Sequence, residues 1–208
     1  MLHRGKEGPE VKLPPAGERG DMSLEETIYK RRSVREYKEE PLSLSQLSQV
    51  LWAAQGLTDS RGLRAAPSAG VTYPLDVFIF IGRDGVEGLE PGIYHYDVAK
   101  HSLSLHKEGD QRRELAIAAR DQEFIARAPV DLVICAIFER TSRYYGRRAE
   151  RYVHMEVGHA GENVSLQAVA LGLVTVMVGA FDDEQVSAVM DLAKEVKPLY
   201  IIPLGKPR

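Results

Sequence analysis

Val153-His-Met-Glu-Val-Gly-His-Ala-Gly-Glu-Asn-Val164 sits inside the longest stretch of helical periodicity in the chain. The pattern runs from about Arg147 to Leu171. Val153, Val157, Ala160, Val164, Ala168 and Leu171 follow one another at steps of 4, 3, 4, 4 and 3. Such spacing puts them on one face of an α-helix. Gly158, Ala160 and Gly161 would let another helix approach the backbone closely, and Gly172 ends the helix. On either side lie two apolar runs, 130–138 and 173–181, which read as buried strands.

Working outward, 75–81 reads as a strand in which Asp76 is the only polar residue. Segments 93–96 and 102–106 read as a hairpin turning at 97–100. Ser23 and Ser43, each followed three residues later by Glu26 or Gln46, spell two capping boxes that open helices to about Arg32 and Gly56. Residues 111–127 are helical in one or two pieces, a helix to about Ala193 is capped by Asp182 or Asp183, and 198–204 is the last strand. Residues 57–74 form a loop, and 1–22, rich in Gly, Pro and charge, form an extended arm without independent structure. With no linker or repeat to divide it, 23–208 is one domain: an α+β fold with a mixed central sheet flanked by helices.

The 208 residues are 44% hydrophobic and 27% charged, an ordinary globular composition. A net charge of −3 offers no bulk attraction to nucleic acid or an anionic membrane, so any anion site must be built locally. The single cysteine, Cys135, lies in an apolar run and reads as a small buried hydrophobe. No stretch has the length of a transmembrane helix and no apolar signal region opens the chain. These features set the expectation of a soluble, cytoplasmic protein.

Four constellations carry possible chemistry. Arg31, Arg32, Ser33 and Arg35 put three guanidiniums and a hydroxyl within five residues. That group either grips a phosphate dianion or compensates the carbonyls at a helix C-terminus. Lys206 and Arg208 end the chain just past a buried strand, as a second part of a clamp or as a solvated tail. Pro67, Ser68, Ala69 and Gly70 form either a surface for a flat ligand or a tight entry into a strand. Val178 and Gly179 stand at a strand end, where a glycine allows close approach.

Taken in order, these motifs resemble the nitroreductase superfamily from about Ser23 to Arg208. Ala66-Pro-Ser-Ala-Gly-Val-Thr-Tyr-Pro-Leu75, Gly88-Leu-Glu-Pro-Gly-Ile-Tyr-His-Tyr-Asp97 and Met155-Glu-Val-Gly-His-Ala-Gly-Glu-Asn163 resemble its SagB-type dehydrogenase branch. The resemblance implies an intertwined homodimer with FMN at the interface. It implies Arg31, Ser33 and Arg35 on the phosphate and ribityl chain, with Arg32 nearby and Lys206 and Arg208 completing the clamp. It places Pro67, Ser68, Ala69 and Gly70 of the partner subunit against the flavin. Val178 and Gly179 would offer backbone donors near its reactive nitrogen. Val71 stands where the wider family often has Asn, so one side-chain bond to the flavin is lost.

His154 and His159 are five residues apart on the helix, not the four of a zincin, and 82–85 lacks the spacing of a dinucleotide-binding loop. Without a fixed nucleotide motif, NAD(P)H is expected as a transient donor, with a small electron-poor acceptor of nitroaromatic or quinone type taking its place in the second half-reaction. Alternatives are an azoline dehydrogenase acting on a modified peptide, and a non-catalytic flavin-binding or storage protein. Tyr144 and Tyr145 are the only side chains offered as acid or base. Tyr144 takes the place of a Lys in the azoline dehydrogenases, and an unperturbed Tyr, with a pKa of about 10, is a poor base.

Overall fold

The computed structural model describes residues 10–208. In chain order its elements are β1 (Glu10–Lys12), α1 (Leu24–Lys30), α2 (Leu44–Gln55), β2 (Leu75–Ile81), β3 (Gly92–Asp97), β4 (Ser102–Glu108), α3 (Arg112–Ala118), α4 (Glu123–Arg127), β5 (Val130–Ala136), α5 (Phe138–Tyr145), α6 (Ala149–Ala170), β6 (Val174–Thr175), α7 (Asp183–Val189) and β7 (Lys197–Gly205).

The apolar runs build one seven-stranded sheet in the order β1-β4-β3-β2-β5-β7-β6. β5 is central and buried along its whole length, as a run apolar on both faces requires. One face of the sheet, including Val77, Ile79, Leu132 and Ile134, packs on α2 and α6 through Leu47, Leu51, Val153, Val157 and Val164. The other, including Phe78, Phe80, Val133 and Cys135, packs on α3 and α7 through Leu115, Val186 and Met190. Each large apolar side chain so buried contributes about 1.5–3 kcal/mol. Every ladder between named strands is antiparallel, and among the described residues parallel pairing occurs only in the isolated bridges Ser33–Thr175 and Leu42–Val86. The expected mixed sheet is thus antiparallel in every ladder, with parallel pairing confined to single bridges.

Ser43 and Gln46 form the complete capping box at α2. At α1 only half of it forms: Ser23 Oγ accepts the Glu26 amide at 3.1 Å, while the Glu26 carboxylate turns to Lys30. The arm departs from expectation. Its described part pairs through β1 with β4, and Leu13 is buried, so 10–12 form an edge strand stabilised by the sheet. The 130–138 run ends as a strand at Ala136, and Phe138 opens α5, a helix the sequence reading did not separate. The expected 173–181 strand pairs only at β6 and again at Val178–Ile201. Both pieces keep one register, so a single strand is interrupted around Val176 and Met177.

Candidate active site

α5 and α6 frame the 67–74 loop. Asp76 enters β2 and is gripped by Arg140 of α5, Nη1–Oδ1 at 2.9 Å and Nη2–Oδ2 at 3.0 Å. The same guanidinium donates to the Tyr73 carbonyl at 3.2 Å. Thr72 and Thr141 join their hydroxyls at 2.8 Å. Ser68 Oγ accepts the Tyr73 amide at 2.9 Å, and Arg64 lies over the Tyr73 ring at 4.4 Å. These ties hold a strained backbone: Val71 and Tyr73 have φ of 57° and 43°, in the left-handed region that non-glycine residues avoid.

Pro67 and Gly70 are exposed, and Ser68 and Ala69 half-buried. The Tyr145 hydroxyl faces Gly70 so closely that a Cβ there would lie 2.7 Å from it. The Tyr145 ring packs edge-on against Tyr152 at 5.0 Å. Tyr144 is 76% exposed. Of the two tyrosines, only Tyr145 meets the loop.

The basic motif and the chain end meet on the opposite sheet edge. Ser33 bridges Thr175, and the Val34 amide donates to the Thr175 carbonyl at 3.0 Å. Tyr37 bridges Pro207, and the Lys38 amide donates to the Lys206 carbonyl at 3.1 Å. The 33–38 segment is therefore stitched between β6 and the tail. Ser33, Arg35 and Arg208 are exposed, and Arg35 lies 5.5 Å over the Phe124 ring. Lys206 reaches Glu40 at 3.1 Å, and Arg31 approaches Glu162 at 3.8 Å.

Arg32 behaves differently. Its Nη1 donates to the Tyr29 and Arg31 carbonyls at 2.9 and 2.6 Å, satisfying the end of α1. For this residue the reading as helix C-terminal compensation holds. Val178 also departs from expectation: its amide donates to Ile201 at 2.9 Å and its carbonyl accepts from Ile201 at 3.0 Å. The sheet consumes that donor because Val178 continues the β6–β7 ladder. Gly179, the next residue, is exposed.

The two regions are distant. Ser33 neighbours Thr175, which pairs with Leu204, which pairs with Val130. The loop enters β2 at Leu75, opposite Ala136. Six residues of β5 separate these positions, roughly 20 Å of strand.

One ionisable residue near the loop went unnoticed in the sequence. Glu156 of α6 is 3% exposed, and its Oε1 has no hydrogen-bond partner among the described residues. Burial pushes its carboxyl up to about 7, against the opposing pull of Ser68 and Arg64. The signal was available: Glu156 is three residues after Val153 and four before Ala160, beside the buried stripe. Asp131, the second residue of β5, is fully buried with both oxygens unpartnered among the described residues, and burial raises its carboxyl well above the usual range.

The fold and this arrangement define a class, the flavin-dependent oxidoreductases. The nitroreductase family model matches residues 28–206, and the chain belongs to that family. A protein of Methanocaldococcus jannaschii, provisionally named a nitroreductase, is 48% identical over 197 residues, 95% of this chain and 96% of its own length. The crystal structure of a provisionally named nitroreductase from Ralstonia eutropha superposes with a TM-score of 0.83 at 31% identity, covering 96% of this chain and 90% of that one. The microcin B17-processing protein of Escherichia coli is 28% identical over 165 residues, 77% of this chain and 61% of its own length.

Proposed function

We propose that the chain is a cytoplasmic FMN enzyme passing two electrons from NAD(P)H to a small electron-poor acceptor of nitroaromatic or quinone type. The observation that carries this reading is the meeting of the 33–38 segment with the 206–208 tail beside β6. Exposed Gly179 follows four residues after Thr175, roughly 13 Å further along the same edge at the usual rise per residue.

The residues fit FMN. Arg31, Ser33, Arg35, Lys206 and Arg208 would hold the phosphate and ribityl chain, since forked cations and a hydroxyl suit a dianion. Gly179, lacking a Cβ, would let the ring approach and offer the donor that Val178 has spent. Pro67, Ser68, Ala69 and Gly70 would come from the partner subunit of a homodimer. Two observations support that: the roughly 20 Å between loop and clamp within one chain, and the exposed apolar side chains Leu24, Ile28 and Tyr29 of α1 and Met155 of α6. Bound FMN supplies reversible two-electron transfer between donor and acceptor. The protein's part is to grip the phosphate, expose one ring face and shape the pocket, with Tyr145 beside the loop.

A second reading, oxidation of azoline rings in a modified peptide, is favoured by the similarity to the microcin B17-processing protein. Tyr144 in place of a Lys weighs against it, because that chemistry needs a base.

The test is direct. Purified protein should be yellow, release FMN on denaturation, sediment near twice 23.1 kDa, and oxidise NADH or NADPH with a quinone or nitroaromatic. A colourless protein that binds no added FMN would sink the reading. Flavin reduction by a thiazoline peptide, coupled to thiazole formation, would promote the second one.

A further inference from the structure

Residues 139–151, which carry the chain from α5 into α6, hold five arginines and two glutamates, a net charge of +3 in a chain whose total is −3. Two of the five arginines are engaged. Arg140 is closed on Asp76, and Arg143 approaches Glu139 one turn back at 3.3 Å. Arg147, Arg148 and Arg151 are exposed, and their side chains have no partner among the described residues. Arg151 follows Arg147 and Arg148 by four and three residues, so the three leave the start of α6 on one side. Glu150, two residues on from Arg148, projects from the other side.

Local stability does not account for this grouping. Like charges three and four residues apart repel, and the first turn of a helix favours anions over cations. Arg148 stands at the N-cap of α6 and makes no side-chain capping bond. These cations therefore cost the helix stability, and an anion seated among them reverses that cost.

Their place beside the 67–70 loop says which anion. Arg148 lies one turn before Tyr152 on the same side of α6. The Tyr152 ring packs on Tyr145, whose hydroxyl faces Gly70. The three arginines thus flank the loop that, on the FMN reading, meets the ring of the partner's flavin, far from the clamp on its phosphate. A quinone or nitroaromatic brings no phosphate to that end. The electron donor does: its nicotinamide lies on the ring, and its adenosine half trails over the surface bordering the loop. The diphosphate is common to NADH and NADPH and gives no preference. NADPH adds a phosphomonoester on the adenosine ribose, close to a dianion at neutral pH, and forked guanidiniums suit that group.

We propose that Arg147, Arg148 and Arg151 hold the 2′-phosphate of NADPH and make the protein prefer NADPH over NADH as electron donor. The choice of a nicotinamide donor rests on the FMN reading; a phosphomonoester site at 147–151 does not.

The experiment has a binding arm and a kinetic arm. Calorimetry compares adenosine 2′,5′-bisphosphate with adenosine 5′-monophosphate, with FMN in excess so that the clamp is filled. Wild type should bind the bisphosphate about 10- to 100-fold more tightly, the worth of a charged hydrogen bond. In the double variant Arg148→Ala, Arg151→Ala the gap should shrink to about threefold or less. Equal binding of the two nucleotides by wild type overturns the inference without any variant. So does a gap that survives in the double variant; if its dimer is also weakened, the arginines pair across the subunit interface instead.

In the kinetic arm, kcat/KM for NADPH relative to NADH should fall about 10- to 100-fold in the double variant. A wild-type ratio near one, in a yellow protein that both nucleotides reduce, overturns the preference and leaves the FMN reading standing. A colourless protein that oxidises neither nucleotide, yet shows the bisphosphate gap and loses it in the variant, sinks the FMN reading and leaves the phosphate site standing.

Discussion

Asp76 and Arg140 form a two-pronged ion pair, 2.9 and 3.0 Å, that fastens the entry of β2 to α5. Asp76 is the only polar residue of an otherwise apolar strand, and its side chain is 13% exposed. The pair also orders the loop, because Arg140 holds the Tyr73 carbonyl as well.

Removing Arg140 leaves the Asp76 carboxylate largely desolvated and unpaired. Arg140→Ala should cost about 2–3 kcal/mol, the range for a charged hydrogen bond left unmade. At this chain length that lowers Tm by roughly 4–12 °C. Calorimetry on the purified protein checks it, and a Tm within about a degree of wild type would show that the pair contributes little.

The basic residues at the end of α1 should not be equivalent. Arg35→Ala and Arg208→Ala should each weaken FMN binding by about 10- to 100-fold, the worth of a charged hydrogen bond to phosphate. Arg32→Ala should change it little, since Arg32 is folded onto the Tyr29 and Arg31 carbonyls. Flavin-fluorescence titrations of the three variants separate them. Equal losses in all three would mean that Arg32 leaves the helix end to join the clamp.

Asp131 imposes a pH dependence whose sign is fixed. Its carboxyl is held well above the usual value by burial, so the folded state binds more protons than the unfolded one. Stability therefore falls as pH rises from about 4, the unfolded carboxylate range. Glu156 acts in the same direction up to about pH 7. Asp131→Val should flatten the slope and add about 1–3 kcal/mol at pH 8, by deleting an unsatisfied buried group on a central strand. Urea melts at about pH 5 and pH 8 check this; a variant that keeps the wild-type slope would refute it.

Val71 carries removable strain. It is 57% exposed, so its side chain buries little, yet it holds φ at 57°. Val71→Gly should be neutral or stabilising by up to about 1 kcal/mol, because glycine adopts this region freely. Gly70→Ala should destabilise by about 1–2 kcal/mol, adding left-handed strain to a contact with the Tyr145 hydroxyl. Tyr145→Phe should recover part of that loss. A double-mutant cycle with no coupling would mean that Tyr145 simply swings away.

What the sequence by itself determined follows from local periodicity and local chemistry. The buried stripe of α6 is written in steps of three and four, and β5 in a run that is apolar but for Asp131. The Ser43–Gln46 box needs only four consecutive residues, and the order of the motifs brought the family within reach before any contact was known. α5 left a weaker mark, the Glu139–Arg143 pair one helical turn apart, which a closer reading would have used.

Only the tertiary structure decided which donors and charges remain free. The Val178 amide is spent because Ile201 arrives beside it from 23 residues further along the chain. Arg32 turns back on its own helix while Ser33, next to it, pairs with Thr175. Lys38 meets Lys206 because β7 returns alongside β5 and carries the tail back to the start of the domain. Glu156 could be placed near the buried stripe by counting, but its burial depends on how the 67–74 loop folds over α6. Periodicity reports which face of an element is apolar. It is blind to which distant segment covers that face, and long-range pairing settles where desolvation and unspent hydrogen bonds fall.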